Sequence, residues 1–155
     1  MLLGISETLR QYLVAEIPDT TVQIGRVADL SAKQSEQALI LVLYEIEDAG
    51  DLRTAPARLA RESQEPVALR LQYLVTSHAH DAGQSQHCLS QVLDAFHNHP
   101  VFTEGELHAT IADRVGRLTV QLRSGRLADL PNLWTAFGTA MQLSLYYEVN
   151  AQPPP

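Results

Sequence analysis

Cysteine is almost missing from this chain. The single Cys88 excludes an intramolecular disulfide and a cysteine-rich zinc site. Lysine is as scarce: Lys33 stands alone beside ten arginines, and acidic residues leave a formal net charge of -7. Phosphate neutralisation needs a basic surface, so this balance argues against a general nucleic-acid binder. No apolar run approaches the roughly 20 residues that span a bilayer as a helix, so no membrane is expected as a partner. No basic leader opens Met1-Leu-Leu-Gly-Ile-Ser-Glu7, and synthesis in the cytoplasm is the expectation. A Walker loop, a dinucleotide glycine pattern and paired carboxylates with an acid/base role are also lacking, and no cofactor is expected.

What is present suits a folded domain. Hydrophobic residues make up 45% of 155 and charged residues 19%, enough to bury one sizeable core. We expect a single domain over residues 1–151 and a disordered proline tail over 152–155. The last ordered stretch sets the pattern. Leu130, Leu133, Trp134 and Phe137 fall at i, i+3, i+4 and i+7, one apolar helical face, and Gly138 suits its end. From Met141 the period becomes two, with Met141, Leu143, Leu145, Tyr147 and Val149 on one side of a strand. A Trp and a Phe one turn apart read as core.

Earlier in the chain, Ile5, Leu9, Tyr12, Leu13 and Ile17 stripe a first helix that Pro18 ends. A short strand over 21–27 follows, then at most a turn of helix near Asp29. The nearly continuous apolar run from Ala38 reads as a strand buried on both faces, paired with an alternating strand over 67–77. The spacing of Leu89, Val92, Leu93 and Phe96 predicts a helix over 86–99, stopped by Pro100, with Ser85 as its N-cap. Thr103 and Glu106 make a capping-box pattern, which predicts another helix through Leu107 and Ile111. Leu118 to Arg123 alternates as a strand. The expected class is α+β: a mainly antiparallel sheet of about four to five strands with helices packed on one face.

Three motifs invite chemistry. His78-Ala-His80-Asp81 resembles part of a metallo-hydrolase ligand set, but Ala82 stands where a further histidine is usual, and tetrahedral zinc needs three or four protein ligands. A small metal-dependent hydrolase is therefore the alternative reading, and no metal is the expectation. Gly83-Gln-Ser85-Gln-His87 begins like a nucleophile elbow and loses its final glycine to His87. His97 and His99 sit where the helix dipole favours a protonated imidazole. No catalytic set results, and the chain is not expected to be an enzyme.

Charge is distributed less evenly. Glu45, Glu47, Asp48 and Asp51 gather at one strand end, and Arg53, Arg58 and Arg61 follow in the long segment from Asp48 to Pro66. As a solvated face these groups would contribute about 0 to 1 kcal/mol per pair. As an interface they are self-complementary: arginines of one copy reach carboxylates of the next, the heterologous arrangement that closes rings. A monomeric protein-binding adaptor is a third reading.

The helix ending Ala15-Glu-Ile-Pro-Asp19, the strand Leu41-Val-Leu-Tyr-Glu-Ile-Glu47, Asp51-Leu-Arg-Thr-Ala-Pro56, Leu71-Gln-Tyr-Leu-Val-Thr76, His97-Asn-His-Pro-Val101, Leu133-Trp-Thr-Ala-Phe-Gly138 and Leu143-Ser-Leu-Tyr-Tyr-Glu-Val149 occur in this order. Together they resemble the tail-terminator or cap proteins of extracellular contractile injection systems, the antifeeding-prophage type of phage-tail-like particle. The resemblance implies a structural protein that closes into a sixfold ring on the end of the inner tube, joins the sheath, and stops elongation. Its partners would be copies of itself and the tube and sheath proteins. It would be cytoplasmic during assembly and then part of the particle.

Overall fold

A computed structural model of the protein describes residues 1–31, 37–50, 68–79, 81–123 and 130–155. Helix α1 spans Leu2–Glu16, and its stripe of Ile5, Leu9, Leu13 and then Ile17 is fully buried. Strands follow at β1 (Thr21–Gly25), β2 (Ala38–Asp48) and β3 (Leu69–His78), with a 3-10 turn, Val27–Ser31, between the first two. Then come α2 (Ala82–Asn98), β4 (Val101–Thr103), β5 (Arg117–Leu122), α3 (Leu130–Phe137) and β6 (Ser144–Gln152). Among the described residues the six strands form one sheet in the order β1-β2-β3-β6-β5-β4. All neighbours are antiparallel except β1, which runs parallel to β2.

The class is α+β, as the pattern of elements implied, with two departures. The sheet has one strand more than expected, and its helices lie on both faces. Leu39, Leu41, Leu71, Tyr73, Val75, Tyr147 and Val149 meet α1 and α2 in the larger core. Ile40, Val42, Leu74 and Tyr146, the alternate positions, meet Leu130 and Trp134 of α3 on the opposite face. Trp134 Nε1 donates to the Tyr146 hydroxyl at 2.8 Å, which satisfies an indole only 2% exposed.

The extra strand, β4, ends at Thr103, and the helix predicted after it does not form. Glu106 does reach back: its Oε2 accepts from Thr103 N–H at 2.9 Å and from the Thr103 hydroxyl at 3.2 Å. Gly105, however, sits at φ 93°, which a right-handed helix cannot include. The chain turns instead, and Leu107, Ile111 and Val115 fill the larger core from successive turns. Helix α2 also begins earlier than its apolar spacing suggested, with Asp81 rather than Ser85 as N-cap, accepting from Gln84 N–H at 2.9 Å.

Two residues of the expected tail, Gln152 and Pro153, pack against the rest of the chain. Gln152 ends β6, its carbonyl accepts from Gly116 N–H at 2.9 Å, and Pro153 is buried. A Cβ at Gly116 would lie 2.7 Å from Pro154 Cα, so glycine is what lets the tail approach this closely.

Candidate interaction surface

Face parity along β2 decides where its carboxylates go. Leu39, Leu41 and Leu43 point into or against the larger core, so strict alternation would send Glu45 and Glu47 the same way. A bulge between Leu43 and Glu45 shifts the register by one residue. Glu45 then opposes Gln72 and Glu47 opposes Arg70, which places both carboxylates on the α3 face, while Ile46 opposes the core residue Leu71. Asp48 opposes Leu69 and is on the other face, apart from the two glutamates.

The α3 face is therefore apolar at one end and polar at the other. Along β3 it carries Leu74 beneath α3 and then Gln72 and Arg70; along β6 it carries Tyr146 and then Glu148 and Asn150. Glu148 is the hub of the polar end. It accepts from Gln72 Nε2 at 3.2 Å and Asn150 Nδ2 at 3.2 Å, and Arg70 Nε lies 3.5 Å away. Arg70 Nη1 is also 3.7 Å from Glu47. Gln72 is 4% exposed, and its Oε1 and the Asn150 Oδ1 have no hydrogen-bond partner among the described residues. At the border, Arg123 Nη1 donates to the Tyr44 hydroxyl at 3.2 Å. Burial raises the Tyr44 pKa, opposed by the Arg123 hydrogen bond and charge.

Of the residues expected to form an interface, Glu45 and Glu47 come together, and Asp48 does not join them. Asp51, Arg53, Arg58 and Arg61 lie outside the described residues. Arg70, Gln72, Glu148 and Asn150 were not anticipated. Their signal was the polar half of two alternating strands, but only the strand pairing brings those halves side by side.

The catalytic motifs disperse. Asp81 is occupied as the α2 cap, and His80 lies outside the described residues. His78 ends β3 with its Nε2 buried and without a partner among the described residues, and burial lowers its pKa. Among the described residues no three His, Cys, Asp or Glu side chains are placed to hold a metal. Ser85 lies inside the first turn of α2, not on an elbow. Cys88 is buried and accepts from Gln37 Nε2 at 2.7 Å. His99 Nε2 lies 2.8 Å from Glu106 Oε1, an exposed carboxylate whose pKa is lowered chiefly by the Thr103 amide.

Comparison with known proteins gives a consistent family. The model of the Pvc16 N-terminal domain matches residues 4–153. The fold is similar to that of a sheath/tube terminator of an extracellular contractile injection system, PVC, in its extended state, with TM-score 0.69, 21% identity and 97% of this chain covered. It is similar also to the tube-terminating cap of the anti-feeding prophage, with TM-score 0.66, 23% identity and again 97% of this chain covered. This chain spans 55% and 54% of those two chains, about half of each. No curated protein matches its sequence.

Proposed function

Because the chain belongs to the Pvc16 N-terminal domain family, we propose that it is a structural terminator, which caps the end of a contractile injection particle and stops its elongation. The observation that carries this reading is the fold, shared over 97% of the chain with two proteins that terminate such assemblies. The surface supports it. Three carboxylates, Glu45, Glu47 and Glu148, crowd one end of the α3 face of the sheet with Arg70 between two of them, and two amide oxygens there lack donors among the described residues.

The mechanism is steric and geometric. Six copies close a ring, with Arg53, Arg58 and Arg61 of one copy reaching Glu45 and Glu47 of the next, and with Asp48 and Asp51 flanking the contact. One ring face matches the last layer of the inner tube and joins the sheath, and the other face accepts no further subunit. No bond is made or broken, so the protein is a scaffold and not an enzyme. It is made and assembled in the cytoplasm and leaves it within the particle.

Absolute mass by light scattering after size exclusion tests the ring. A species near six times 17.1 kDa that dissociates as salt rises is the expected result, because exposed charge pairs are screened. A monomer at low and moderate salt, alone and with assembled tube present, would exclude it.

A further inference from the structure

Strand β4 is shorter than the strand it protects. It pairs only with Arg117, Leu118 and Thr119 of β5. One further bond, Val120 N–H to Pro100 O at 2.8 Å, closes the contact. Proline has no N–H to return, so the Val120 carbonyl receives nothing from it. Beyond Pro100 the chain is already helix α2. Backbone groups of alternate residues in a strand point to opposite edges, and Arg123 N–H donates inward to Tyr146 O at 2.8 Å. The N–H and C=O of Leu122 therefore point outward, where the described residues offer no strand to meet them.

This open edge borders a groove. Leu93 and Phe96 of α2 form one wall, and Val120, Leu122 and Tyr147 form the other wall and the floor. Leu122, at the rim of the groove, is 47% exposed. Tyr147 is 3% exposed, and its hydroxyl has no hydrogen-bond partner among the described residues. Burial holds that hydroxyl protonated, so it has a proton to donate. A helix beside an unpaired strand edge is the arrangement in which an extended chain adds as a further strand: backbone bonds hold it, and alternate side chains enter the groove.

We propose that this groove takes an extended segment of the inner-tube subunit, added to the outer edge of β5 with an apolar side chain between Leu93, Phe96 and Leu122. The inference rests on the terminator reading, and the tube is chosen because both similar structures terminate a tube. A second copy of this chain fits less well. The slot from Val120 to Leu122 is about 10 Å long at roughly 3.3 Å per residue. It is closed on one side by α2 and at one end by β4, so the edge of another folded sheet cannot enter. A single segment carried on a loop or terminus can. The short stretch Met141–Leu143 of this chain is tethered, because Gln142 donates to Leu30 O and Thr76 donates to Leu143 O.

Amide hydrogen exchange of the full chain, alone and bound to assembled tube of its particle, tests the proposal, together with the variant Leu122→Pro. The variant removes an outward N–H that the sheet does not use, so its melting point should match the wild type. Slowed exchange over 120–122 on tube binding, with binding by Leu122→Pro weaker by about tenfold or more, is the expected result. Tube binding without protection at 120–122, or equal binding by Leu122→Pro, would overturn the groove and leave the terminator reading standing. Protection that appears on concentrating the chain without tube would assign the groove to a second copy and overturn the tube segment. No binding of wild type to tube would overturn both.

Discussion

Glu148 and Glu47 are carboxylates on the same face with different duties, and removing each should separate them. Glu148→Ala deletes the acceptor for Gln72 Nε2 and Asn150 Nδ2, both at 3.2 Å, and the carboxylate 3.5 Å from Arg70. Gln72 is 4% exposed, so its amide N–H would lose a partner that water replaces poorly. A hydrogen bond to a charged group contributes about 1.5 to 3 kcal/mol. With Glu148 itself 28% exposed, we discount the set to about 2 kcal/mol. At about 2 to 4 °C per kcal/mol for a domain of this size, that is a fall of roughly 4 to 8 °C in Tm. Glu47→Ala deletes one contact at 3.7 Å from a side chain 46% exposed, an interaction of about 0 to 0.5 kcal/mol, and should move Tm by less than about 2 °C. In the proposed ring its loss should instead weaken assembly. Thermal unfolding followed by circular dichroism reads both variants. A Glu148→Ala melt within about 2 °C of wild type would refute the assignment of Glu148 as the hub, and an equal fall for Glu47→Ala would make that residue part of the fold.

Other perturbations probe the second core, the tail and the end of β3. Trp134→Phe removes the 2.8 Å donor to Tyr146 and opens space beneath α3, and should cost about 1 to 3 kcal/mol in urea unfolding; an unchanged midpoint would show that α3 contributes little to stability. Gly116→Ala forces a Cβ against Pro154 Cα at 2.7 Å, so exopeptidase should trim the C-terminus faster than in wild type, and unchanged trimming would show that the tail is not held there. Burial lowers the His78 pKa below its ordinary 6.5. The unfolded chain therefore binds this proton more readily: stability from the neutral imidazole is complete above about pH 6.5 and is lost as pH falls through the lower folded value. His78→Asn should flatten that loss in denaturant midpoints measured from pH 7.5 down to pH 5, and an unaltered slope would assign it to other groups.

Much of this architecture is written in apolar spacing. The buried stripe of α1, the pairing of β2 with β3, and the helix around Trp134 each follow from a period of 3.6 or 2 that packing then honours. The parts that sequence did not convey depend on relations between elements. Spacing gives α3 one apolar face but cannot say which side of the sheet it meets. A capping box forms its side-chain bonds even where Gly105 prevents the helix. The bulge before Glu45 leaves no local mark, yet it alone carries Glu45 and Glu47 to the face of Arg70 and separates them from Asp48. Arg70, Gln72, Glu148 and Asn150 are ordinary outward residues on their own strands, and become a cluster through register.

A terminator of the proposed kind ends a tube. Inner-tube subunits polymerised with and without the chain, with lengths and ends measured by electron microscopy, test it directly. Shorter tubes with a ring of density on one end are expected, and longer tubes with bare ends when Glu45 and Glu47 are both replaced by alanine. Tubes of unchanged length with no added density at either end would contradict it.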